Sequence, residues 1–444
     1  VESPSPATTD RTRLGRRFAV LWTAQTVSFL GSGTTLVAGP LLVASLTRDP
    51  LLISGAAFAQ SLPWLLFSLV SGGLVDRLDR RRIMLVVDTV RAAALAVLAA
   101  SVLADRVGVP LVYAVFFLLG SGDTLVRAAG GAVLPAVVPP HLLERANGRI
   151  TASAMATSLV SGPLGGVLFT VAAALPFLLD AGSFAVAVVL LLFGLRGSFH
   201  GTPPGTGPRR TLAAEIGEGV RWMARHRLLR TLALLMGMLN VTLMAALSIL
   251  VLLARERLGL NSVGYGLLFT AMAVGGLAGA LVGERLIRWL GATVTLRGGL
   301  VVETLFHLVV ATSRSPWAVG AAFAVFGVHG SLWGIVSTSL RQRLTPPAML
   351  GRVGSTYLFV VAGGNAAGAL LGGAVAGAFG LTAPYWVGFV VAALVTAVTW
   401  REFDRATIAR AYATPPATAD TPGGTADVPG AGPTAHDPVT PPLV

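Results

Sequence analysis

Uncharged apolar runs of about 20 residues, the length a helix needs to cross the hydrocarbon core of a bilayer, recur along most of this chain. A water-soluble fold cannot hide so many. The 444 residues are 54% hydrophobic and 12% charged, whereas soluble domains carry roughly a quarter charged residues. Inside lipid every backbone N–H and C=O must be satisfied within the spanning segment, so such runs are read as helices. Twelve fit, near 18–46, 51–75, 83–104, 110–137, 146–173, 176–195, 231–254, 263–283, 292–312, 316–338, 353–379 and 384–400. The fold class expected is an all-α membrane protein with twelve transmembrane helices, whose first partner is the lipid bilayer.

An even number of spans puts both termini on one side, and arginine decides which. All 33 basic residues are Arg, as GC-rich coding favours. One set of loops and termini carries 26 of them, the opposite set carries 5, and Arg91 and Arg127 fall within spans. The positive-inside rule therefore predicts a multi-pass protein of the cell inner (plasma) membrane with both termini cytoplasmic. The formal charge of +13 does not point to nucleic acid, because the arginines sit at the ends of apolar runs and not on one face of a soluble domain.

Absences narrow the chemistry. Without cysteine there is no disulfide, thiolate metal site or cysteine nucleophile. Without lysine there is no Gly-x-x-x-x-Gly-Lys phosphate loop, which argues against ATP hydrolysis. The six His are scattered, with no pair at the spacing of a zinc protease helix. No cofactor, no metal and no enzymatic reaction are expected.

The chain repeats itself. Pro139-Pro140-x-Leu142-Leu143-x-Arg145 returns as Pro346-Pro347-x-Met349-Leu350-x-Arg352, an offset of 346 − 139 = 207. The same offset carries Gly72-x-Leu74-Val75 onto Gly279-x-Leu281-Val282, and Leu164-Gly165-Gly166 onto Leu371-Gly372-Gly373. A repeat of six spans gives two parallel six-helix halves, one of the recurrent transporter architectures, with the substrate site at their interface. The organisation expected is a disordered N-terminus over 1–13 and a first half over 14–196. A cytoplasmic linker follows over 197–230, then a second half over 231–403 and a disordered tail over 404–444. The linker contains a surface helix with Leu212, Ile216 and Val220 on its apolar face.

The connection between spans 2 and 3 reads Gly72-Gly73-Leu74-Val75-Asp76-Arg77-Leu78-Asp79-Arg80-Arg81. With it, residues 14–404 resemble the major facilitator superfamily, whose loop motif runs Gly-x-Leu-Ala-Asp-Arg-x-Gly-Arg-Arg. Asp79 stands where the family usually has Gly. Read as chemistry, Asp76 ends a span at the membrane face, and the Arg cluster can pair with it, with a helix terminus or with anionic lipid. The resemblance implies that Gly72, Leu74, Asp76, Arg77, Arg80 and Arg81 lock one conformation of two rocking halves. In span 5, Gly162-Pro163-Leu164-Gly165-Gly166 is similar to the antiporter motif of exporters. There Pro163 permits a kink, and Gly162, Gly165 and Gly166 let a facing helix approach closely.

Charges inside spans are costly and must face the bundle interior. Asp123 and Arg127 lie four apart on span 4, so they share a helix face and can pair; Arg127-x-x-x-Gly131 also resembles part of a span-4 motif linked to proton coupling. Glu303 and His307 form a second such pair in span 9, and His titrates near neutral pH. All four are candidates for proton coupling, with a purely structural pairing as the alternative. Asp88, Arg91 and Asp180 rank below them, and Gln25, Asn240 and Asn365 are candidate polar contacts in a cavity. The resemblance implies a monomeric secondary transporter, exporting small amphiphilic molecules in exchange for protons by alternating access. Its drug and siderophore exporter branches are the most similar. An importer or facilitator on the same fold, or a non-transporting receptor or scaffold, are the alternatives.

Overall fold

The computed structural model describes residues 14–200 and 212–413, so the expected disordered N-terminus (1–13), part of the linker (201–211) and the tail beyond 413 lie outside the described residues. The first half comprises α1 (Gly15–Leu46), α2 (Pro50–Arg77), α3 (Arg80–Leu103), α4 (Val109–Val137), α5 (Leu143–Val171) and α6 (Leu175–Gly194). A linker helix α7 (Leu212–Arg225) leads to α8 (Arg227–Ser248), short α9 (Leu250–Glu256), α10 (Ser262–Leu290), α11 (Ala292–Thr312), α12 (Pro316–Leu344), α13 (Leu350–Phe379) and α14 (Ala383–Thr399). A last helix, α15 (Arg405–Ala413), follows. With α8 and α9 making one crossing, twelve apolar crossings result. The 29 residues of α4 rise about 43 Å at ~1.5 Å per residue, enough to pass the hydrocarbon and enter both interfaces.

The helices begin and end where local chemistry dictates. Pro50, Pro110, Pro176, Pro316 and Pro384 occupy first-turn positions, where the missing N–H costs nothing. Asp49 caps α2 by accepting from Leu51 N at 2.8 Å, and Asn261 caps α10 through Gly264 N at 2.9 Å. Gly291, the one residue between α10 and α11, has φ +81°, a turn that a side chain would strain.

The internal repeat is visible in the coordinates. Shifting α4 by 207 residues reproduces the bounds of α12, and the same shift takes the single 3-10 turn Pro140–Leu142 onto Pro347–Met349. Between the halves, α2 packs on α13 and α5 on α10. One hydrophobic core joins both halves at the end opposite the arginine-rich loops, with Leu41, Ile53 and Phe177 from the first half and Ile249, Tyr265 and Phe323 from the second. There Arg255 also donates to Ala44 O across the halves at 3.3 Å. At the arginine-rich end each half has a separate core, around Phe18, Met84 and Leu191 in one and around Leu232, Trp333 and Phe403 in the other.

Three expectations are corrected. The span over 231–254 is not continuous: α8 ends at Ser248, Ile249 leaves the helical region at φ −110° and ψ 3°, and α9 begins at Leu250. The tail expected from 404 begins with α15, because Asp404 caps it through Thr407 N at 2.6 Å and Ile408 and Ala411 are buried in the second-half core. The linker helix forms, but Val220 is exposed. Instead Gly219 meets the α13 backbone, where a Cβ would come 2.8 Å from Arg352 O, and Met223 is buried. The side chains of Leu212 and Ile216 lie outside the described residues.

Candidate functional site: a charged cavity in the first half

A cavity of about 580 Å³ is walled by α1 to α6. Among the described residues, five charged side chains line it: Asp88 and Arg91 from α3, Asp123 and Arg127 from α4, and Asp180 from α6. Arg127 Nε lies 2.9 Å from Asp123 Oδ2, and the other oxygen of that carboxylate faces Arg91 Nη2 at 4.0 Å. Arg91 also contacts Asp88 at 3.3 Å and lies on the face of Phe184, 4.0 Å from the ring centroid. The Arg127 side chain is 58% exposed and its guanidinium lies 5.6 Å from the Trp64 ring, whereas Arg91 and Asp88 are buried. Asp180, also buried, accepts from the hydroxyls of Thr35 (2.7 Å), Ser183 (3.2 Å) and Ser32 (3.5 Å). Gln25 lines the same cavity, and its buried Oε1 has no hydrogen-bond partner among the described residues.

The structure thus brings Asp123, Arg127 and Gln25 together, and adds three charges the sequence ranked below them. Burial on helices that meet only in three dimensions hid Asp88, Arg91 and Asp180; their mere presence in apolar spans was the available signal. Asn240 and Asn365 do not line this cavity: Asn240 donates to Met236 O on its own helix at 2.7 Å, and the buried Oδ1 of Asn365 has no hydrogen-bond partner among the described residues.

Glu303 and His307 do not reach this cavity either. They sit in α11, and a residue that sequence reasoning missed, His329 of α12, completes the group. The carboxylate oxygens face His307 Nε2 at 3.6 Å and His329 Nε2 at 3.5 Å, and all three residues are buried. Gly388 of α14 closes the pocket: a Cβ there would come 2.6 Å from His307 Nδ1. The signal for His329 was a second imidazole in an adjacent span, which one-helix spacing cannot pair.

The loop between α2 and α3 is tied to its own half. Arg81 Nη2 donates to Leu192 O at 2.8 Å and its Nε to Leu191 O at 3.4 Å, both in the last turn of α6, and Arg80 donates to Ala132 O at 3.2 Å. Cations at a helix C-terminus are stabilised by its exposed carbonyls. Asp79, the departure from the family pattern, caps α3 through Arg81 N (3.0 Å) and accepts from Ser198 Oγ (3.2 Å) and Phe199 N (3.3 Å). Burial pushes this carboxyl up, but those donors outweigh it and hold it below the ordinary aspartate value. Leu74 and Arg77 are exposed, while Gly72 and the Asp76 side chain lie outside the described residues.

In α5, Gly162 and Gly166 face α10 of the other half, where a Cβ would come 2.5 Å from Gly266 O and 2.8 Å from the Ser262 carbonyl carbon. Gly165 faces α1 instead, against Thr34. Pro163 lies within α5.

Two six-helix halves related by a sequence repeat, joined by a shared core at one end and with a charged cavity in the first, define a membrane transporter of the major facilitator fold, acting on small molecules and not an enzyme. The chain belongs to the transmembrane secretion effector family of that superfamily, whose model matches residues 14–419. It is 27% identical over 384 residues to the multidrug efflux pump Tap of Mycolicibacterium fortuitum, covering 84% of this chain and 92% of that protein. It is 26% identical over 369 residues to the enterobactin exporter EntS of Citrobacter koseri, covering 80% and 84% respectively. Among solved structures, the inward-facing bacterial homologue of the iron transporter ferroportin superposes with a TM-score of 0.68 at 17% identity, over 87% of this chain and 98% of that one. The nucleoside transporter NupG does so at 0.65 and 14% identity, over 87% and 98%.

Proposed function

We propose that the protein is a monomeric exporter of small amphiphilic molecules, of drug or siderophore type, working by alternating access in exchange for protons. The observation that carries this reading is the cavity: the halves share a core at one end only, so the charged pocket is sealed on the side opposite the arginine-rich loops. By the positive-inside rule those loops and both termini are cytoplasmic, so this conformation takes its cargo from inside the cell. The names of the two efflux relatives support the direction. Asp123 and Arg127 are the water-facing members of a charge network whose rearrangement couples proton binding to the conformational switch. Gly162, Pro163 and Gly166 form the close-packed seam that must open when the halves rock. Glu303, His307 and His329, dry and remote from the cavity, clamp α11 to α12. The Arg80 and Arg81 contacts, together with Asp76, regulate the cytoplasmic end.

The test is a resistance profile. In an inner-membrane host lacking its own pumps, the chain lowers accumulation of a panel of amphiphilic drugs and catecholate siderophores, and a protonophore abolishes the effect. Equal accumulation across the panel with and without the chain counts against export.

A further inference from the structure

The five charges lining the cavity do not balance. Asp88, Asp123 and Asp180 stand against Arg91 and Arg127, so the fully ionised set carries one surplus negative charge at membrane depth, where an uncompensated charge is expensive. Neutrality needs one proton, and the geometry separates the carboxyls. Asp123 faces two guanidiniums, at 2.9 and 4.0 Å, and Asp88 faces Arg91 at 3.3 Å. Among the described residues, the hydrogen bonds to the Asp180 carboxyl come from hydroxyls, and Arg91 acts on it without an ion-pair contact. A hydroxyl donates to a carboxylate and accepts from a carboxylic acid with equal ease. The same three contacts therefore satisfy Asp180 in either protonation state, as a group that must gain and lose a proton each cycle requires.

Its position fits as well. Asp180 lies five residues after Leu175, about 8 Å along α6 at ~1.5 Å per residue from the sealed end of the molecule, and it lines the cavity that reaches from the other side. Its strongest contact, Thr35, is on α1, the helix that also receives Arg255 from the second half at Ala44. The charged group that acts on it is Arg91 of α3, which in turn contacts Asp88 of α3 and Asp123 of α4; among the described residues, α1 presents to it the hydroxyls of Ser32 and Thr35.

We propose that Asp180 is the residue that holds the exchanged proton, with Arg91 and the Asp123–Arg127 pair as its charge-balancing partners. The proposal rests on the proton-exchange reading above, but its first test does not need a substrate. In pH-difference infrared spectra of the purified full chain in liposomes, a buried carboxylic acid C=O band is expected, and Asp180→Asn removes it. Thr35→Val takes away a donor that favours the ionised form, so the band moves to higher frequency and its loss on raising pH shifts to higher pH. If Asp180→Asn does not fold, the Thr35→Val shift alone decides. A band that survives Asp180→Asn, or is unmoved by Thr35→Val, overturns the assignment. Transport then separates the two readings, with ethidium as probe in acid-loaded liposomes. Gradient-driven uptake by the parent but not by Asp180→Asn supports both. Gradient-driven uptake by both proteins overturns the role of Asp180 and leaves proton exchange standing. Uptake indifferent to the gradient in the parent overturns proton exchange itself.

Discussion

Asp123 and Arg127 meet across one turn of α4, Oδ2 to Nε at 2.9 Å, with the guanidinium turned into the cavity. Charge-assisted contacts of this kind are worth roughly 1.5–3 kcal/mol, enough to shift a two-state equilibrium about tenfold or more. Replacing both, as Asp123→Asn with Arg127→Gln, removes both charges while leaving polar side chains on the same helix face. The double variant is expected to lose accumulation against a gradient while downhill exchange persists, measured in liposomes with and without an imposed pH difference. Uphill transport equal to the parent would show that the pair is structural.

The seam between α5 and α10 leaves no room for a side chain. A Cβ on Gly162 would meet Gly266 O at 2.5 Å, and overpacking of this order costs about 1–3 kcal/mol. Gly162→Val is therefore expected to disfavour the conformation sealed at this end and to slow transport at normal membrane level. Because the chain has no cysteine, a Leu159→Cys, Thr270→Cys pair reports the seam directly, since Thr270 Oγ1 donates to Leu159 O at 3.2 Å. The disulfide yield falls when Gly162→Val is added.

Much of this architecture was legible in the sequence, for physical reasons that have limits. Lipid thickness fixes span length, so the crossings could be counted, and the i,i+4 rule could pair Asp123 with Arg127. Contacts between helices obey neither rule. That is why Asp180 and Thr35, 145 residues apart, and the His329 partner of Glu303 were invisible. The break at Ile249 carries no Gly or Pro to mark it. The helix α15 was hidden by the Pro- and Thr-rich composition that follows, although Ile408, Ala411 and Tyr412 already show helical spacing.

Asp79 gives a pH-dependent clasp. Its folded-state carboxyl is held below the ordinary value by Phe199 N, Arg81 N and Ser198 Oγ, against the effect of burial. The stabilisation is thus fully present above the unfolded aspartate range, about pH 4, and is lost as pH falls through the lower folded value. A dye on Arg196→Cys should keep high anisotropy from about pH 8 to 5 and lose it only under stronger acid. With Asp79→Ala the anisotropy is low throughout.

Glu303 is buried between two imidazoles, and disturbing the partners of a buried polar group costs about 1–3 kcal/mol. Glu303→Gln should lower the thermal midpoint of the detergent-purified protein. Protein that survives should still transport uphill, because this cluster does not line the cavity. Loss of coupling at unchanged thermal stability would move the coupling role to the second half.

Proton-driven export from the arginine-rich side can be read in liposomes where that side faces outward, as established by labelling Arg225→Cys and not Arg106→Cys from outside. With an acid lumen and ethidium added outside, the dye accumulates in the lumen, matched by lumenal alkalinisation and abolished by a protonophore. Dye entry at the same rate without a pH difference, and without proton movement, would contradict it.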